Sequence, residues 1–138
     1  MKKFAALAIT LFLISAFAVA GCGKTQGGGG GTTGGTSQTI SMDANNFTTH
    51  SITVKANQPV HFDNTVNGGG YHIVCIGTGN GGTNTCSAAG SGQGPSELYG
   101  EGVTFNGGDS KDITFTTPGT YHVICTVHSG MVIDVTVQ

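Results

Sequence analysis

The sequence predicts an all-β fold, an antiparallel sandwich of short strands. From residue 38 onward, apolar and polar residues alternate in short runs, and clusters of turn-forming residues separate one run from the next. No segment of this region has apolar residues at sustained helical spacing. Short strands divided by turns are typical of a β-sandwich, in which each strand buries one face. The predicted strands are residues 38–42, 50–55, 59–63, 71–76, 110–116, 120–126 and 131–137.

Side-chain alternation supports these strands. Because successive side chains of a strand point to opposite faces, residues two positions apart share a face. Apolar pairs with this spacing are Ile52 and Val54, Val60 and Phe62, and Ile113 and Phe115. Turns are predicted at 117–119 (Thr-Pro-Gly) and 129–130 (Ser-Gly). Residues 77–102 contain little apolar material and are predicted to form a long loop, a type that is usually functional or disordered.

Residues 1–21 are predicted to be an export signal. Lys2 and Lys3 precede an apolar run over residues 4–19, which is short for a membrane span. Small residues then lead directly to Cys22, a pattern that resembles the bacterial lipobox, in which the cysteine is lipidated and becomes the mature N-terminus. The alternative is an ordinary signal peptide in which Cys22 is incidental. The lipobox predicts an exported protein, lipid-anchored to a bacterial cell membrane on its periplasmic or extracellular face.

The predicted lipidated cysteine and a linker occupy residues 22–37. The linker is made almost entirely of Gly, Thr and Ser, which cannot bury enough apolar area to offset the entropy of ordering. We therefore expect it to be flexible. The folded domain is predicted to cover residues 38–138, which is long enough for a single sandwich with one core.

The charge of the chain argues against one class of partner. There are five Lys and Arg residues against seven Asp and Glu, a formal net charge of −2, and no arginine is present. No basic cluster could neutralise a run of phosphates. Nucleic acid is therefore not an expected partner.

The four cysteines have different predicted roles. Cys22 is the candidate for lipidation, and Cys125 belongs to a C-terminal motif. Cys75 and Cys86 remain, and an exported protein folds in an oxidising compartment. A disulfide between them is therefore predicted. We expect it to stabilise the fold.

The C-terminal motif brings together residues that bind metals. Cys125, His128 and Met131 are spaced as C-x2-H-x2-M between two predicted strands, and His72 lies upstream on another. Two histidines, one cysteine and a weak axial methionine are the ligands of a blue copper site. Soft sulfur ligands favour Cu(I), whereas imidazole also accommodates Cu(II). A site built from both suits neither oxidation state perfectly, so the ligands have to move little when an electron arrives or leaves. The predicted cofactor is one copper ion of type 1.

With these motifs the sequence resembles the cupredoxins, and its loop spacing is that of the plastocyanin and amicyanin group. The resemblance covers most of residues 47–137, and the residues that carry it outside the copper motif include Phe47, Asn64 and Tyr121. It implies a Greek-key sandwich of about eight strands, with His72, Cys125 and His128 in the copper plane and Met131 axial. Many members have Asn directly after the upstream histidine. This chain has Ile73 there, so another group must join the two ligand segments, with Thr126 as a candidate.

The resemblance implies a monomeric electron carrier and not an enzyme. Its partners would be redox proteins or membrane electron-transfer complexes, with electrons passing through the exposed edge of His128, near Gly130, Val132 and 68–70. The alternative is a protein that stores or delivers copper without electron transfer. A copper oxidase or nitrite reductase is disfavoured because it needs a second copper centre, and the chain has no His-x-His pair.

Several of the histidines and sulfur-containing residues also fit simpler roles. His50, His61 and His122 are expected to face solvent, because His61 and His122 alternate out of phase with their apolar neighbours. Met131 could be only the first core residue of the last strand. Cys125 could be a free buried thiol, or the nucleophile of a Cys–His pair, although no orienting third group is evident.

Overall fold

In the part of the chain that the structure describes, nine strands form two sheets around one core. The computed structural model describes residues 38–79 and 82–138. The strands are β1 (Gln38–Ser41), β2 (Ser51–Val54), β3 (Pro59–Asp63), β4 (His72–Thr78), β5 (Thr85–Cys86), β6 (Val103–Phe105), β7 (Ser110–Thr114), β8 (Gly119–Cys125) and β9 (Val132–Val137). One sheet has the order β1-β3-β7, and the other has the order β2-β9-β8-β4-β5, with β6 also paired to β4. The predicted all-β sandwich is confirmed, and no α-helix occurs in these two described ranges.

Alternation along the strands builds the core. In β3 the side chains of Val60 and Phe62 are fully buried, while those between and around them are partly or fully exposed. In β9 the buried positions are Ile133, Val135 and Val137. Both sheets contribute to a single apolar cluster. At about 25 cal/mol per Å² of apolar surface removed from water, this burial is the main stabilising contribution to the fold.

The sandwich is not purely antiparallel. β1 pairs with β3 in parallel, and β2 pairs with β9 in parallel. The remaining pairings are antiparallel. The prediction of an antiparallel sandwich is wrong in this respect, because alternation reports which face a residue occupies and carries no information on which strand lies beside it.

The described residues of the segment 77–102 contain more regular structure than the predicted long loop. β4 continues through Thr78, β5 pairs with its end, and a short 3₁₀ turn covers Ser96–Leu98. Leu98 and Tyr99 are buried in the core. The Tyr99 hydroxyl accepts a hydrogen bond from the Gly94 amide at 3.2 Å. Strand pairing and these two buried side chains therefore anchor a stretch that is otherwise rich in Gly and Ser.

The N-terminal predictions lie outside the described residues. The export signal over 1–21, the lipidation of Cys22 and the linker over 22–37 therefore stay predictions. The described residues belong to one compact unit. Across the two described ranges, no helix is long and apolar enough to cross a bilayer.

Candidate metal centre

Strand pairing brings the predicted ligands to one end of the larger sheet. β4 begins at His72 and β8 ends at Cys125, and the two strands are antiparallel, with Val74 paired to Cys125. The start of one strand therefore lies beside the end of the other. His128 follows in the turn between β8 and β9, and Met131 directly precedes β9.

Three donor atoms face one another at this end. The Nδ1 atoms of His72 and His128 are 3.2 Å apart. The Cys125 Sγ atom lies 3.7 Å from the first and 3.8 Å from the second. These three are the cluster of potential metal ligands formed by His, Cys, Asp and Glu in the described parts of the chain.

The size of this triangle fits a metal ion. A point equidistant from its three corners lies about 2.1 Å from each donor atom, which is close to the bond lengths of metal to imidazole nitrogen and thiolate sulfur. A trigonal arrangement of two histidines and one cysteine is the arrangement that blue copper sites use. The donor set and its dimensions therefore suit copper.

Met131 lies in the same loop with its side chain fully buried. Its carbonyl accepts a hydrogen bond from the Cys125 amide at 2.9 Å, and its amide donates to the His128 carbonyl at 3.3 Å. The backbone thus links Met131 to two of the three clustered residues. Burial alone is also what a core residue would show, so the thioether as a fourth ligand stays a prediction.

His72 is oriented by its second ring nitrogen. Its Nε2 atom donates a hydrogen bond to the Asp43 carbonyl at 2.9 Å, which leaves Nδ1 with its lone pair directed at the cluster. Burial lowers the pKa of His72, and this effect outweighs the opposing one of the hydrogen bond to the Asp43 carbonyl. The buried imidazole is therefore kept in the neutral form that a metal requires.

The segment before His72 is held by a buried amide. Asn64 donates hydrogen bonds to the carbonyls of Gly70 and Asn106, each at 2.7 Å, and accepts one from the Gly70 amide at 3.2 Å. Gly70 also approaches closely, because a Cβ there would overlap the Ala44 carbonyl. Asn64, one of the residues that carry the resemblance, thereby fixes the approach to β4.

The burial of Cys125 and one hydrogen bond bear on its sulfur. The side chain is fully buried, and the Val127 amide donates a hydrogen bond to Sγ at 3.4 Å. Hydrogen bonding to the sulfur and the apolar surroundings of a site are general means of tuning a copper potential.

The link between the two ligand segments differs from the one suggested by sequence. Thr126 does join them, but through its backbone: its amide donates to the Ile73 carbonyl at 3.0 Å. Asn84 adds a side-chain link that the sequence did not predict. Its amide group donates to the Cys125 carbonyl at 2.6 Å and to the His128 carbonyl at 3.2 Å. Its position in a polar, Gly-rich segment gave no signal of this role.

His128 is partly exposed, whereas His72 is fully buried. The two large apolar residues that are exposed in the described regions are Tyr71, at 52%, and Val127, at 44%. Each is next in sequence to one of the clustered histidines. Gly130 and Val132, predicted to surround the edge of His128, are partly buried.

The remaining histidines lie outside the cluster. His61 and His122 each place Nδ1 2.7 Å from an aspartate, Asp112 and Asp134 respectively, on a partly exposed surface. His122 also donates from Nε2 to the Gly79 carbonyl at 2.8 Å. Because both of its ring nitrogens face acceptors, and foremost because of the bond to Asp134, the pKa of His122 is raised.

Cys75 and Cys86 are joined by a disulfide with an S–S distance of 2.01 Å. Their bridge connects β4 to β5. Cys125 is the free cysteine of the described residues. The pairing matches the one proposed from sequence, and it leaves the thiol of Cys125 for the cluster.

Fold and donor set together define a single-copper protein of the cupredoxin type. The family model for copper-binding proteins of the plastocyanin/azurin family matches residues 35–138. The chain belongs to this family, and copper is its cofactor. No curated protein sequence matches the chain.

Solved structures support the fold. The chain resembles amicyanin from Paracoccus versutus at 19% identity and a TM-score of 0.50, covering 75% of this chain and 83% of that one. A variant amicyanin in the reduced Cu(I) form gives 22% identity and a TM-score of 0.53, with the same coverages. The copper-containing nitrite reductase from Thermus scotoductus SA-01 gives 21% identity and a TM-score of 0.50 over 74% of this chain. The chain spans only 22% of that reductase.

Proposed function

We propose that this protein carries single electrons through one type 1 copper ion bound by His72, Cys125, His128 and Met131. When bound, copper supplies a reversible one-electron couple between Cu(I) and Cu(II). The chain supplies two imidazoles, a thiolate and a thioether, which together suit both states. The protein itself catalyses no reaction in this proposal. It accepts an electron from one redox partner and passes it to another.

The observation that carries this proposal is the triangle of donor atoms. Each of the three residues makes a hydrogen bond that does not depend on the metal: the His72 ring to the Asp43 carbonyl, the Cys125 backbone to the Met131 carbonyl, and the His128 backbone to the Met131 amide. A site fixed in this way changes little between oxidation states. Small rearrangement favours rapid electron transfer, whereas a protein that delivers copper has to release it.

The edge of His128 is the proposed exit for the electron. It is partly exposed, and the exposed side chain of Val127 lies beside it in sequence. A small apolar surface with little charge suits brief encounters, because transient redox interfaces are small. Redox proteins or membrane electron-transfer complexes are therefore the proposed partners.

The purified protein loaded with Cu(II) is expected to bind one copper per chain and to turn blue, because thiolate-to-copper charge transfer absorbs visible light. Visible spectroscopy, metal analysis and voltammetry check this, and the voltammogram should show one reversible one-electron wave. A delivery protein would instead retain Cu(I) and lose copper on oxidation. A colourless copper-loaded protein, or a wave that fades on cycling, would contradict electron transfer.

We further propose that a lipid on Cys22 tethers the domain to the outer face of the membrane. Fifteen Gly-rich linker residues have a root-mean-square reach of roughly 20–25 Å. The copper end could then meet partners in the same membrane, and tethering raises the local concentration so that weak affinity is sufficient.

Replacing Cys22 by alanine is expected to release or mislocalise the protein while leaving its copper spectrum unchanged. Membrane fractionation with immunoblotting measures this, and a Thr25→Ala variant in the neighbouring linker serves as the control. If the alanine variant remains in the membrane fraction as fully as the wild type, the lipid anchor is refuted.

A further inference from the structure

Asn84 is a buried polar residue in contact with the ligand loop, the turn from Cys125 to Met131. Its side chain is only 8% exposed. The amide nitrogen donates to the carbonyls of Cys125 and His128, at 2.6 and 3.2 Å. One side chain therefore contacts the backbone of two clustered residues and spans the turn between them.

The amide oxygen of Asn84 has no hydrogen-bond partner, the one such buried side-chain atom in the described residues. A buried acceptor without a partner is unfavourable, so a native fold that keeps one gains something from the residue that carries it. An apolar side chain of similar size would avoid the penalty but would leave two loop carbonyls without this donor. The amide group and its two donated bonds are what an asparagine provides here.

The segment that carries Asn84 is anchored independently of the ligand loop. Thr85 and Cys86 pair with the end of β4, and the disulfide ties Cys86 to Cys75. Gly79 allows close approach, since a Cβ there would overlap the side-chain oxygen of Asn84. The donor is thus fixed to β4, the strand that begins with His72.

We propose that Asn84 is a positioning residue of the copper centre, holding the backbone of Cys125 and His128 in register with the His72 strand. This inference rests on the proposed function. In this proposal Asn84 helps to join the two ligand segments. Ile73 cannot do so through its side chain, because that side chain is apolar. Thr126 contributes a backbone bond at the same junction. Two independent links therefore fix the position of the ligand loop.

The amide also has an electrostatic effect. Its N–H groups direct the positive end of their dipole at the loop, and this stabilises the reduced centre relative to the oxidised one. Loss of Asn84 should therefore lower the reduction potential. Looser positioning of His128 should also alter the visible and EPR spectra of the Cu(II) form.

The test compares Asn84→Leu, which has similar volume and no donor, and Asn84→Ala with the wild type and a control. The control is Tyr121→Phe, which removes the bond from its hydroxyl to the carbonyl of Thr117, a residue outside the ligand loop. Both Asn84 variants are expected to lower the potential and to change the EPR copper hyperfine splitting. The control should keep the wild-type values even though it loses some stability.

Hydrogen exchange of the metal-free protein provides a readout without copper. In the Asn84 variants the amides of Thr126 and Met131 should exchange about tenfold faster, because the loop opens more easily once one or two hydrogen bonds are lost. The amide of Gln138, bonded to Val54 at 3.0 Å, is the internal control and should not change.

The outcomes separate this inference from the proposed function. The wild type could be blue and give a reversible wave while the potential, EPR spectrum and loop exchange stay unchanged in the Asn84 variants. That result would overturn the positioning role and leave electron transfer intact. A wild type without the blue band would refute the function, and the exchange measurement would still decide whether Asn84 holds the loop. A potential above that of the wild type would also contradict the proposal.

Discussion

Replacement of Cys125 by serine is expected to abolish the blue colour of the copper-loaded protein completely. The colour requires charge transfer from a thiolate sulfur, and a serine oxygen is a hard, weakly donating ligand that provides no such transition. The sulfur lies 3.7 and 3.8 Å from the two imidazole nitrogens, and the side chain is fully buried, so a residue of nearly the same size should keep the fold. Visible absorption after loading with Cu(II) measures the effect.

Met131→Leu is the matched comparison in the same loop. The proposed axial bond is weak, so this variant should keep the blue band and shift the reduction potential. Far-ultraviolet circular dichroism of both variants without metal establishes that the fold is retained. Retention of an intense visible band by the serine variant would refute Cys125 as a ligand. Loss of colour in the leucine variant as complete as in the serine variant would refute the axial role of Met131.

Removing the disulfide by replacing Cys75 and Cys86 together with alanine is expected to lower the free energy of unfolding by about 2–3 kcal/mol. The bridge closes a short loop between β4 and β5, and its loss gives the unfolded chain more conformations. For a domain of this size the melting temperature should fall by roughly 10–20 °C. Thermal unfolding of the metal-free protein, followed by circular dichroism, measures the change.

The disulfide variant should still bind copper and turn blue, because neither cysteine belongs to the donor triangle. Thiol counting on the denatured, unreduced wild type is the control and should find Cys125 alone among these three cysteines. A melting temperature equal to that of the wild type would show that the bridge does not stabilise the fold. Two further free thiols would show that the bridge does not form.

The sequence contained enough information to predict the donor cluster. Three of the proposed ligands lie within one short turn, so their proximity follows from spacing alone. Only His72 had to be placed by the fold, and its position depends on the pairing of β4 with β8. Alternation also predicted the buried faces correctly, because each strand must direct one row of side chains at the core.

The sequence could not predict contacts between segments that are far apart in the chain. β5 and β6 are two and three residues long, too short for alternation to be detected. The parallel pairing of β2 with β9 joins strands from opposite ends of the domain. Asn84 was missed for the same reason, since its partners lie some forty positions away and asparagine is an ordinary loop residue.

The register between β4 and β8 also keeps the free thiol of Cys125 away from the disulfide between Cys75 and Cys86. Val74 is paired with Cys125, and Cys75 is paired with Ile124, so the two cysteines are one step apart and point to opposite faces of the sheet. A slip of one residue would place Cys75 opposite Cys125 on the same face. The free thiol could then attack the neighbouring bridge by thiol–disulfide exchange. The alternation of side chains in this strand pair thus keeps the Cys125 thiolate and the disulfide on opposite faces of the sheet. Formation of the correct disulfide therefore depends on β4 and β8 pairing in register.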